Sequence, residues 1–485
     1  MTEHCYLGID QGSSHTKAVL ALDHGEVVWS SEKSVSTRHL SETEVEQDAE
    51  ELLESVLTLL QEANRFLQTT SLRCESIGLA FQRSGVCAWK TDTSKALSPL
   101  LSWRDTRTAQ RMSTIDETRL FELTGIPLSA HYAGGKISLL QEAFPESDVH
   151  VTTLDSYILH HLTDQSNVCT EDTMAHRTML YELSTGTWSD ELCKAFHVTQ
   201  KRLPSISPSF SLFGRCSQLQ GGVPITCSLG DQQAALAYFK LLGHPTVLNV
   251  GSISSVMHHT GTSPQYLSGY ITSIASSSED ARQYVIEGTS NASGRTIEFI
   301  QNELEIPPNK LDTTLTPLSI DSSAPLCFCP FGNITTPHWR NDIGNFVICD
   351  PSTSKPQLIA ALLENMGNFL LEDLETFSSH GLLSSSHSLL ASGGISQSDY
   401  LLQYLADCSN RTFERALFPH AGALGAAFSS AQKRLIPAPP KMSTFIPQNT
   451  DRAKRYKEWC AVRDALFCGQ HGAYRSLDEV VQSLT

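Results

Sequence analysis

The pattern that most constrains this fold is a strand, a turn of small residues and a second strand, which occurs twice. The first copy is CYLGID, QGSSH and TKAVLAL, and the second is TVLNVGSISSVMHHTG near the middle of the chain. Self-similarity at this scale is typical of duplicated domains. We therefore expect two related halves that face each other across a cleft.

Strands alternate with helices in both halves. DAEELLESVLTLLQEANRFL repeats apolar residues at three- and four-residue spacing and has acidic residues in its first turn, as an amphipathic helix does. SLLASGGISQSDYLLQYLADCS predicts a strand, a Gly-Gly turn and a helix. Such alternation predicts an α/β fold with helices on the sheet faces. For 485 residues we expect two domains, 1–240 and 241–485.

The charge balance excludes several classes of partner. The formal net charge is -17 at pH 7, whereas nucleic-acid binding depends on Lys and Arg to neutralise phosphates. No apolar run reaches the roughly 20 residues that span a bilayer. The amino terminus, MTEHCYLGID, has neither the basic stretch nor the apolar region of a secretory signal. We expect a cytoplasmic protein with no nucleic-acid and no membrane partner.

The common nucleotide-binding signatures are missing from the sequence. AHYAGGKISLL contains a Gly-Gly-Lys sequence, but Ile137 follows Lys136 and the upstream glycine of a Walker A loop is absent. No GxGxxG follows a predicted strand, and no HRD or DFG pair occurs. A nucleotide site in this chain requires another architecture.

Asp10 is the first candidate for such a site. It ends the first predicted strand and precedes the small-residue turn at 12–14. A carboxylate there can hold Mg2+ while amides and hydroxyls of the turn contact phosphate oxygens. Alternatively, Asp10 only shapes the turn. Two further small-residue turns, at 251–254 and 393–394, favour the phosphate-binding interpretation.

Several separate motifs resemble those of the FGGY carbohydrate kinases, and within that family the glycerol kinases, from about residue 5 to about residue 430. GIDQGSS is similar to the first phosphate loop of the family, QRS and SWRDTR to substrate-pocket segments, and LGDQQAALAY to the catalytic-base segment. NVGSISS is similar to the second phosphate loop, and ASGGISQSDYLLQYLAD with AGALGAAF to the adenosine-binding end. The resemblance implies two ribonuclease-H-like domains, the actin-type ATPase fold, flanking a catalytic cleft.

The resemblance also implies roles for individual residues. It assigns Asp10 to Mg2+ and Asp231 to the general base, with ATP as the phosphoryl donor. The residues implied for the acceptor substrate are Arg83, Ser84, Trp103, Tyr132, Asp231 and Gln232. The residues implied for the nucleotide are Ser13, Ser14, Lys17, Ser252, Gly394, Ile395 and Ser398.

Some of these residues also have a purely structural interpretation. Asp231 precedes the helical segment QQAALAYF and suits an N-cap, a role compatible with catalysis. Without the resemblance, Arg83 would be expected in a surface salt bridge and Trp103 in the hydrophobic core.

Departures from the family pattern occur in both sites. In the substrate pocket, Ser84 replaces a glutamate of the glycerol kinases and Ser255 replaces an aromatic residue. Loss of a carboxylate and a ring should enlarge the pocket and weaken its hold on a three-carbon substrate. In the nucleotide site, Ile253 replaces a loop glycine, while Ile395 and Ser398 replace small residues. We expect either a different loop conformation or weaker nucleotide binding.

We therefore expect an ATP-dependent kinase that phosphorylates a hydroxyl of a small polyol or sugar. A xylulose- or ribulose-type kinase is the alternative within the family, favoured by Ser84 and Ser255 and disfavoured by the QR and GDQQAA segments. A non-catalytic actin-fold sensor is a further alternative, because the nucleotide loops are altered even though Asp10 and Asp231 are both retained. Homo-oligomers are common in the family, so a homo-oligomer is also expected from the resemblance.

Overall fold

The computed structural model describes residues 3–163, 168–251, 253–315, 325–384, 388–416, 420–431, 435, 437, 441–449, 451–470, 474–482 and 484. Ser252, which is expected at the nucleotide site, lies outside the described residues. Within these ranges, no helix has the length and apolar character needed to cross a membrane.

The elements of the first half follow in chain order. The strands are β1 (His4–Gln11), β2 (His15–Leu22), β3 (Val27–Ser34), β4 (Arg38–His39), β5 (Val45–Gln47), β6 (Arg73–Phe81), β7 (Val86–Lys90), β8 (Leu100–Leu101), β9 (Val149–Thr153), β10 (Cys169–Glu171), β11 (Tyr181–Glu182), β12 (Thr187–Trp188), β13 (Ser205–Ser207), β14 (Gly214–Cys216) and β15 (Val223–Gly230). The α-helices are α1 (Ala49–Gln68), α2 (Glu117–Thr124), α3 (Gly134–Ala143), α4 (Leu154–Leu162), α5 (Asp172–His176), α6 (Asp190–Ala195) and α7 (Asp231–Leu241).

The elements of the second half repeat part of this order. The strands are β16 (Thr246–Val250), β17 (Ser254–Gly261), β18 (Ile271–Ser277), β19 (Arg282–Ser290), β20 (Leu326–Phe328), β21 (Phe346–Ile348), β22 (Leu389–Ser392), β23 (Phe413–Ala416), β24 (Met442–Phe445) and β25 (Arg475–Ser476). The α-helices are α8 (Ala292–Asn302), α9 (Leu311–Leu315), α10 (Lys355–Ser379), α11 (Asp399–Ser409), α12 (Ala421–Ser430), α13 (Arg452–Phe467) and α14 (Leu477–Gln482).

The two large sheets share one topology. The first has the order β14-β15-β6-β1-β2-β3, in which β1, β2 and β3 are antiparallel and β1, β6 and β15 are parallel. The second has the order β24-β23-β22-β16-β17-β19-β18, in which β16, β17 and β19 are antiparallel and β16, β22 and β23 are parallel. This is the arrangement expected for two ribonuclease-H-like domains, and the α/β fold class is confirmed.

The long helix predicted near the amino terminus is α1, and its sequence explains both its start and its orientation. The Asp48 side chain caps the helix by accepting hydrogen bonds from the amides of Glu50 and Glu51. One stripe of α1 is buried against the first sheet, and its larger apolar members are Leu52, Val56, Leu59 and Leu60.

Helices α7 and α12 lie between the two sheets. One buried cluster contains residues of β1 and β2, of both helices, and of β16, β17 and β22, so it joins the halves. The two helices touch backbone to backbone, since a Cβ atom on Gly425 would lie 1.8 Å from the carbonyl oxygen of Ala234. The boundary expected near residue 240 falls at the end of α7 and stays a prediction.

Helix α12 also lies very close to the first sheet because the facing residues are glycine and alanine. A Cβ atom on Gly8 of β1 would lie 1.8 Å from the carbonyl oxygen of Ala423. A Cβ atom on Gly78 of β6 would lie 1.8 Å from the carbonyl oxygen of Ala426. Because backbone atoms cannot rotate out of the way, the small residues of AGALGAAF determine how closely the halves approach.

We expect Gly8→Ala to lower the free energy of unfolding by about 1–3 kcal/mol, because the added methyl group must displace the backbone of α12. Urea denaturation measures the change. Gly344→Ala is the matched control: Gly344 is exposed, and its Cβ would lie 3.6 Å from the ring of Phe346, an ordinary contact. An equal effect of the two substitutions would contradict the close approach of helix and sheet.

Candidate active site

Three parallel strands of the first sheet, β1, β6 and β15, end side by side. Asp10 is the penultimate residue of β1, Arg83 lies two residues after the end of β6, and Asp231 directly follows β15. The carboxyl ends of parallel strands lie at one edge of a sheet, which is where ligands bind in open α/β folds. The topology therefore brings together three residues that are distant in the sequence.

Asp10 is partly buried and incompletely paired. Its Oδ1 atom has no hydrogen-bond partner. Burial, together with the negative charge of Asp231, raises the pKa of Asp10 to about 7, against the opposing charge of Lys17. A divalent cation would satisfy the unpaired oxygen, so the residue fits the Mg2+ role implied by the resemblance.

The remaining ligands of such a cation would come from water and phosphate oxygens. In the part of the chain that the structure describes, no group of three His, Cys, Asp or Glu side chains could hold a metal ion. Mg2+ keeps several waters when it binds with a nucleotide, so a single protein carboxylate is compatible with it.

The amino-terminal end of α12 lies against the Asp10 carboxylate. A Cβ atom on Gly422 would lie 2.4 Å from Asp10 Oδ2, so a side chain at this position would displace the carboxylate. Gly422 was not among the predicted site residues. Its importance depends on a contact between the two halves that the sequence does not show.

The turn after β1 is held in place by hydrogen bonds that other segments donate to its backbone carbonyl oxygens. The carbonyl oxygen of Ser13 accepts hydrogen bonds from Gln47 Nε2 at 2.9 Å and Thr37 Oγ1 at 3.2 Å, and that of Ser14 accepts one from the Val35 amide at 2.9 Å. The Ser13 side chain is half-buried and that of Ser14 is exposed. Their contacts with phosphate stay predictions, as does that of Lys17.

The turn after β22 meets the end of β16. Gly393 has a φ of 93°, and a Cβ atom there would lie 2.5 Å from the carbonyl oxygen of Val250, so only glycine fits both the conformation and the space. A Cβ atom on the neighbouring Gly394 would meet nothing within 4 Å. The surface at Gly394 is therefore open to a ligand.

The other two residues expected near adenosine have structural contacts. Ile395 is partly buried against the core of the second half. Ser398 is the N-cap of α11, and its Oγ donates to Asp312 Oδ1 at 2.8 Å. Their roles in binding nucleotide stay predictions.

Arg83 connects the residues expected in the acceptor pocket. Its Nε lies 3.5 Å from Asp231 Oδ1, and its Nη2 donates to Oε1 of Gln232. Its Nη1 lies 3.9 Å from Oε1 of Glu287, in β19 of the second half. Arg83 is only 12% exposed, so it is not a surface salt bridge but part of a buried network.

Asp231 is accessible within this network. Its side chain is 35% exposed, and Oδ1 accepts a hydrogen bond from the Gln232 amide at 2.8 Å. Burial raises the pKa of Asp231, and the charges of Arg83 and Arg177 oppose the shift. The N-cap interpretation is wrong by one residue, because Gly230 is the N-cap of α7 and Asp231 is its first residue.

Glu287 and Arg177 were not identified from the sequence. Arg177 Nη2 donates to Glu287 Oε1, and Arg177 Nη1 donates to the hydroxyl of Tyr132 at 3.3 Å. Burial disfavours the Glu287 carboxylate, but the Arg177 and Arg83 charges outweigh it and lower the pKa of Glu287. The sequence feature that could have indicated Glu287 is that it is the lone acidic residue in the apolar strand segment YVIEG.

Ser84 and Trp103 lie beside this network. Ser84 is buried, has a φ of 64°, and donates from Oγ to the carbonyl oxygen of Arg177 at 3.4 Å. Trp103 is half-buried rather than a core residue, and the Arg104 guanidinium lies 5.0 Å from its ring centroid. His131 Nδ1 lies 3.1 Å from the carbonyl oxygen of Trp103, which connects this segment to the neighbouring Tyr132.

A buried carboxylate anchors the peptide that precedes Asp231. The Gly230 amide donates to Thr173 Oγ1 at 2.8 Å, and that hydroxyl donates to Glu171 Oε2 at 2.6 Å. Ser209 Oγ donates to the other oxygen of Glu171. Burial raises the pKa of Glu171 to about 8, against the opposing effect of both hydroxyls.

Comparison with known proteins identifies the family. Residues 5–237 match the N-terminal domain of the FGGY family of carbohydrate kinases, and residues 250–431 match its C-terminal domain. The chain belongs to the FGGY family of carbohydrate kinases. A glycerol kinase from Trichodesmium erythraeum (strain IMS101) is 28% identical to this FGGY kinase over 450 residues, which cover 88% of this chain and 89% of that protein.

Solved structures agree with the fold of an FGGY kinase. Plasmodium falciparum glycerol kinase with ADP has a TM-score of 0.86 at 23% identity, with 96% of this chain and 98% of that chain covered. Ligand-bound xylulose kinase from Lactobacillus acidophilus has a TM-score of 0.81 at 19% identity, with 96% and 98% covered. The expected family, the two-domain fold and the assignment as a kinase are thereby confirmed. Membership of a kinase family implies the use of ATP.

We expect the Mg2+-dependent part of nucleotide affinity to decrease as the pH falls below about 7, because protonation of Asp10 removes the anionic ligand. The Kd of ADP, measured with and without Mg2+ at about pH 6 and about pH 8, tests this expectation. In Asp10→Asn, any pH dependence that remains belongs to the nucleotide and not to Asp10. A Mg2+ effect of equal size at both pH values in the unaltered protein would contradict the assignment.

Proposed function

We propose that this FGGY kinase transfers the γ-phosphoryl group of ATP to a hydroxyl of a small polyol or ketose, with Asp231 as the general base. The observation that carries the proposal is the 3.5 Å contact between Asp231 Oδ1 and Arg83 Nε, at the sheet edge where β1 ends beside Asp10. A proton-accepting carboxylate, a guanidinium that can bind hydroxyls and a second carboxylate suited to Mg2+ are groups that can position the reactants and stabilise charge in phosphoryl transfer to an alcohol.

Asp231 would accept the proton of the attacking hydroxyl as its oxygen bonds to the γ-phosphorus and the bond to the ADP oxygen breaks. A raised pKa makes the carboxylate a better proton acceptor, and its 35% exposure leaves it accessible to a substrate. Arg83 would hold this carboxylate in position and donate hydrogen bonds to substrate hydroxyls. Mg2+, held near Asp10 mainly through water, would neutralise phosphate charge.

The nucleotide would bind between the turns of the two halves. We propose phosphate contacts for the turns at 12–14 and 251–254, together with Lys17. The open surface at Gly394 favours adenosine there, with Ile395 and Ser398 as neighbouring residues. Plasmodium falciparum glycerol kinase, which has a similar fold, has been solved with ADP, and this supports an adenine nucleotide as the ligand of the cleft.

The acceptor would be bound by Arg83, Trp103, Tyr132 and Gln232, with Ser84 beside them. Ser255 adds a distinct feature, because its Oγ is buried and has no hydrogen-bond partner. Ser255 pairs with Thr289, two residues from Glu287, so strand alternation places these three residues on one face of the sheet. An unpaired hydroxyl on the wall of the pocket favours a substrate with more hydroxyls than glycerol.

Two acceptor classes therefore compete. Relatives named glycerol kinase favour glycerol, while Ser84 and Ser255 favour a longer polyol or a pentulose. The cytoplasmic location and the homo-oligomeric state expected from the sequence remain predictions.

An acceptor panel tests the proposed activity. We expect release of ADP from Mg-ATP to be stimulated by at least one of glycerol, erythritol, ribitol, xylulose and ribulose. Asp231→Ala should bind ADP normally and lose phosphoryl transfer by about a hundredfold or more, because the proton acceptor is gone. Unchanged turnover in this variant would refute the base assignment. No stimulation by any acceptor, with ADP binding intact, would support the non-catalytic alternative.

We expect Ser84→Glu combined with Ser255→Phe to shift the ratio of kcat/KM toward glycerol and away from longer acceptors by about tenfold, because the pocket regains a carboxylate and loses space. Steady-state kinetics with both acceptors measures the shift. Ser41→Glu, which adds the same charge at an exposed position, is the control. An unaltered preference would show that these two positions do not determine the size of the substrate.

A further inference from the structure

The Gly-Gly-Lys sequence at the start of α3 is not a phosphate loop, and the mechanism above does not use it. A Cβ atom on Gly134 would lie 2.5 Å from the carbonyl oxygen of Thr178, and one on Gly135 would lie 2.7 Å from Thr108 Oγ1. The two glycines therefore allow the first turn of α3 to approach its neighbours more closely than larger residues would. Lys136 follows them and is completely buried.

The ammonium group of Lys136 donates three hydrogen bonds, all to backbone carbonyl oxygens. The acceptors are Ser102 at 2.7 Å, His131 at 3.0 Å and Ser84 at 3.1 Å. Because an ammonium group has three N–H donors, its hydrogen-bonding capacity is filled. Three chain segments that are separate in the sequence are thus tied to one nitrogen atom.

These segments form the proposed acceptor pocket. Each of the three carbonyl groups belongs to a residue that adjoins a proposed substrate contact in the sequence. Ser84 adjoins Arg83, Ser102 adjoins Trp103, and His131 adjoins Tyr132. Ser84 has a left-handed backbone, which a non-glycine residue adopts only when its surroundings impose it. The bond from Lys136 is one contact that supports this conformation.

Burial of this charge is costly to the fold. Burial lowers the pKa of Lys136 to about 7, with Asp105 opposing the shift and Arg107 adding to it. Without an ammonium group, three carbonyl oxygens would face one another with their partial negative charges unpaired. The segments would then move apart or admit water.

We propose that Lys136 is a positioning residue that sets the spacing of the acceptor-pocket walls, an inference that rests on the acceptor site proposed above. It acts through the backbone of the pocket and does not touch the reacting atoms. Loss of the ammonium should therefore weaken acceptor binding and leave the nucleotide site, on other strands and turns, unaffected.

The test compares Lys136→Met with Lys136→Gln, using the acceptor that is most active in the panel. Methionine removes all donors at similar length, so we expect the acceptor KM to rise by about tenfold or more, while the Kd of ADP changes less than about twofold. Glutamine keeps two N–H donors on its amide, so its acceptor KM should lie between those of the unaltered protein and the methionine variant. The Kd of ADP also reports whether each variant is folded.

Two further variants make the outcomes distinguishable. Lys90→Met removes a partly exposed lysine that lies outside the pocket and pairs with Asp148 at 2.7 Å, and it should change neither constant. Trp103→Ala alters the proposed pocket directly.

If the acceptor KM rises in Trp103→Ala but not in either Lys136 variant, the positioning role of Lys136 is refuted and the pocket assignment stands. If it rises in none of the three, the pocket assignment fails and the role of Lys136 fails with it. A parallel loss of ADP affinity in both Lys136 variants would also overturn the inference, because it indicates a general structural role.

Discussion

The arrangement of the whole protein depends on the backbone contact between α12 and the first sheet. Gly8 and Gly78 have no side chains, so the carbonyl groups of Ala423 and Ala426 lie where Cβ atoms would otherwise be. Helix α12 belongs to the second half in sequence, and through this contact it is fixed to the first half. The same helix places Gly422 against Asp10, so the close packing also determines where the Asp10 carboxylate lies.

The candidate site combines charges that are buried in pairs or in larger groups. Glu287 lies between Arg83 and Arg177, whereas Asp10 has Asp231 as a neighbour of like charge and one unpaired oxygen. Burial of an incompletely paired carboxylate is unfavourable unless a cation compensates it. In the Arg83, Glu287 and Arg177 group the charges offset one another within the protein, whereas at Asp10 a bound cation would offset the charge.

Local patterns in the sequence were sufficient for the strands β1, β2, β16, β17 and β22, for the helices α1, α7 and α11, and for the duplication. Asp10, Arg83 and Asp231 could be proposed because the resemblance assigns them roles, and the register of β1, β6 and β15 brings them together. Glu287 and Gly422 could not be proposed, because each matters through a neighbour in the opposite half of the chain. Gly-Gly-Lys was correctly separated from the Walker A loops, but its contacts with three carbonyl groups depend on loops that no periodicity describes.

The pairing of Glu287 with Arg83 and Arg177 has a consequence for the exchange of either half of this chain. The acid is encoded in the second half and both bases in the first, and all three are buried. Recombination that joined this first half to a second half with an apolar residue at position 287 would leave two guanidinium groups repelling each other in a dry pocket. A chimaera that keeps the first half of this chain therefore needs an acidic residue at position 287 of its second half to offset both guanidinium charges.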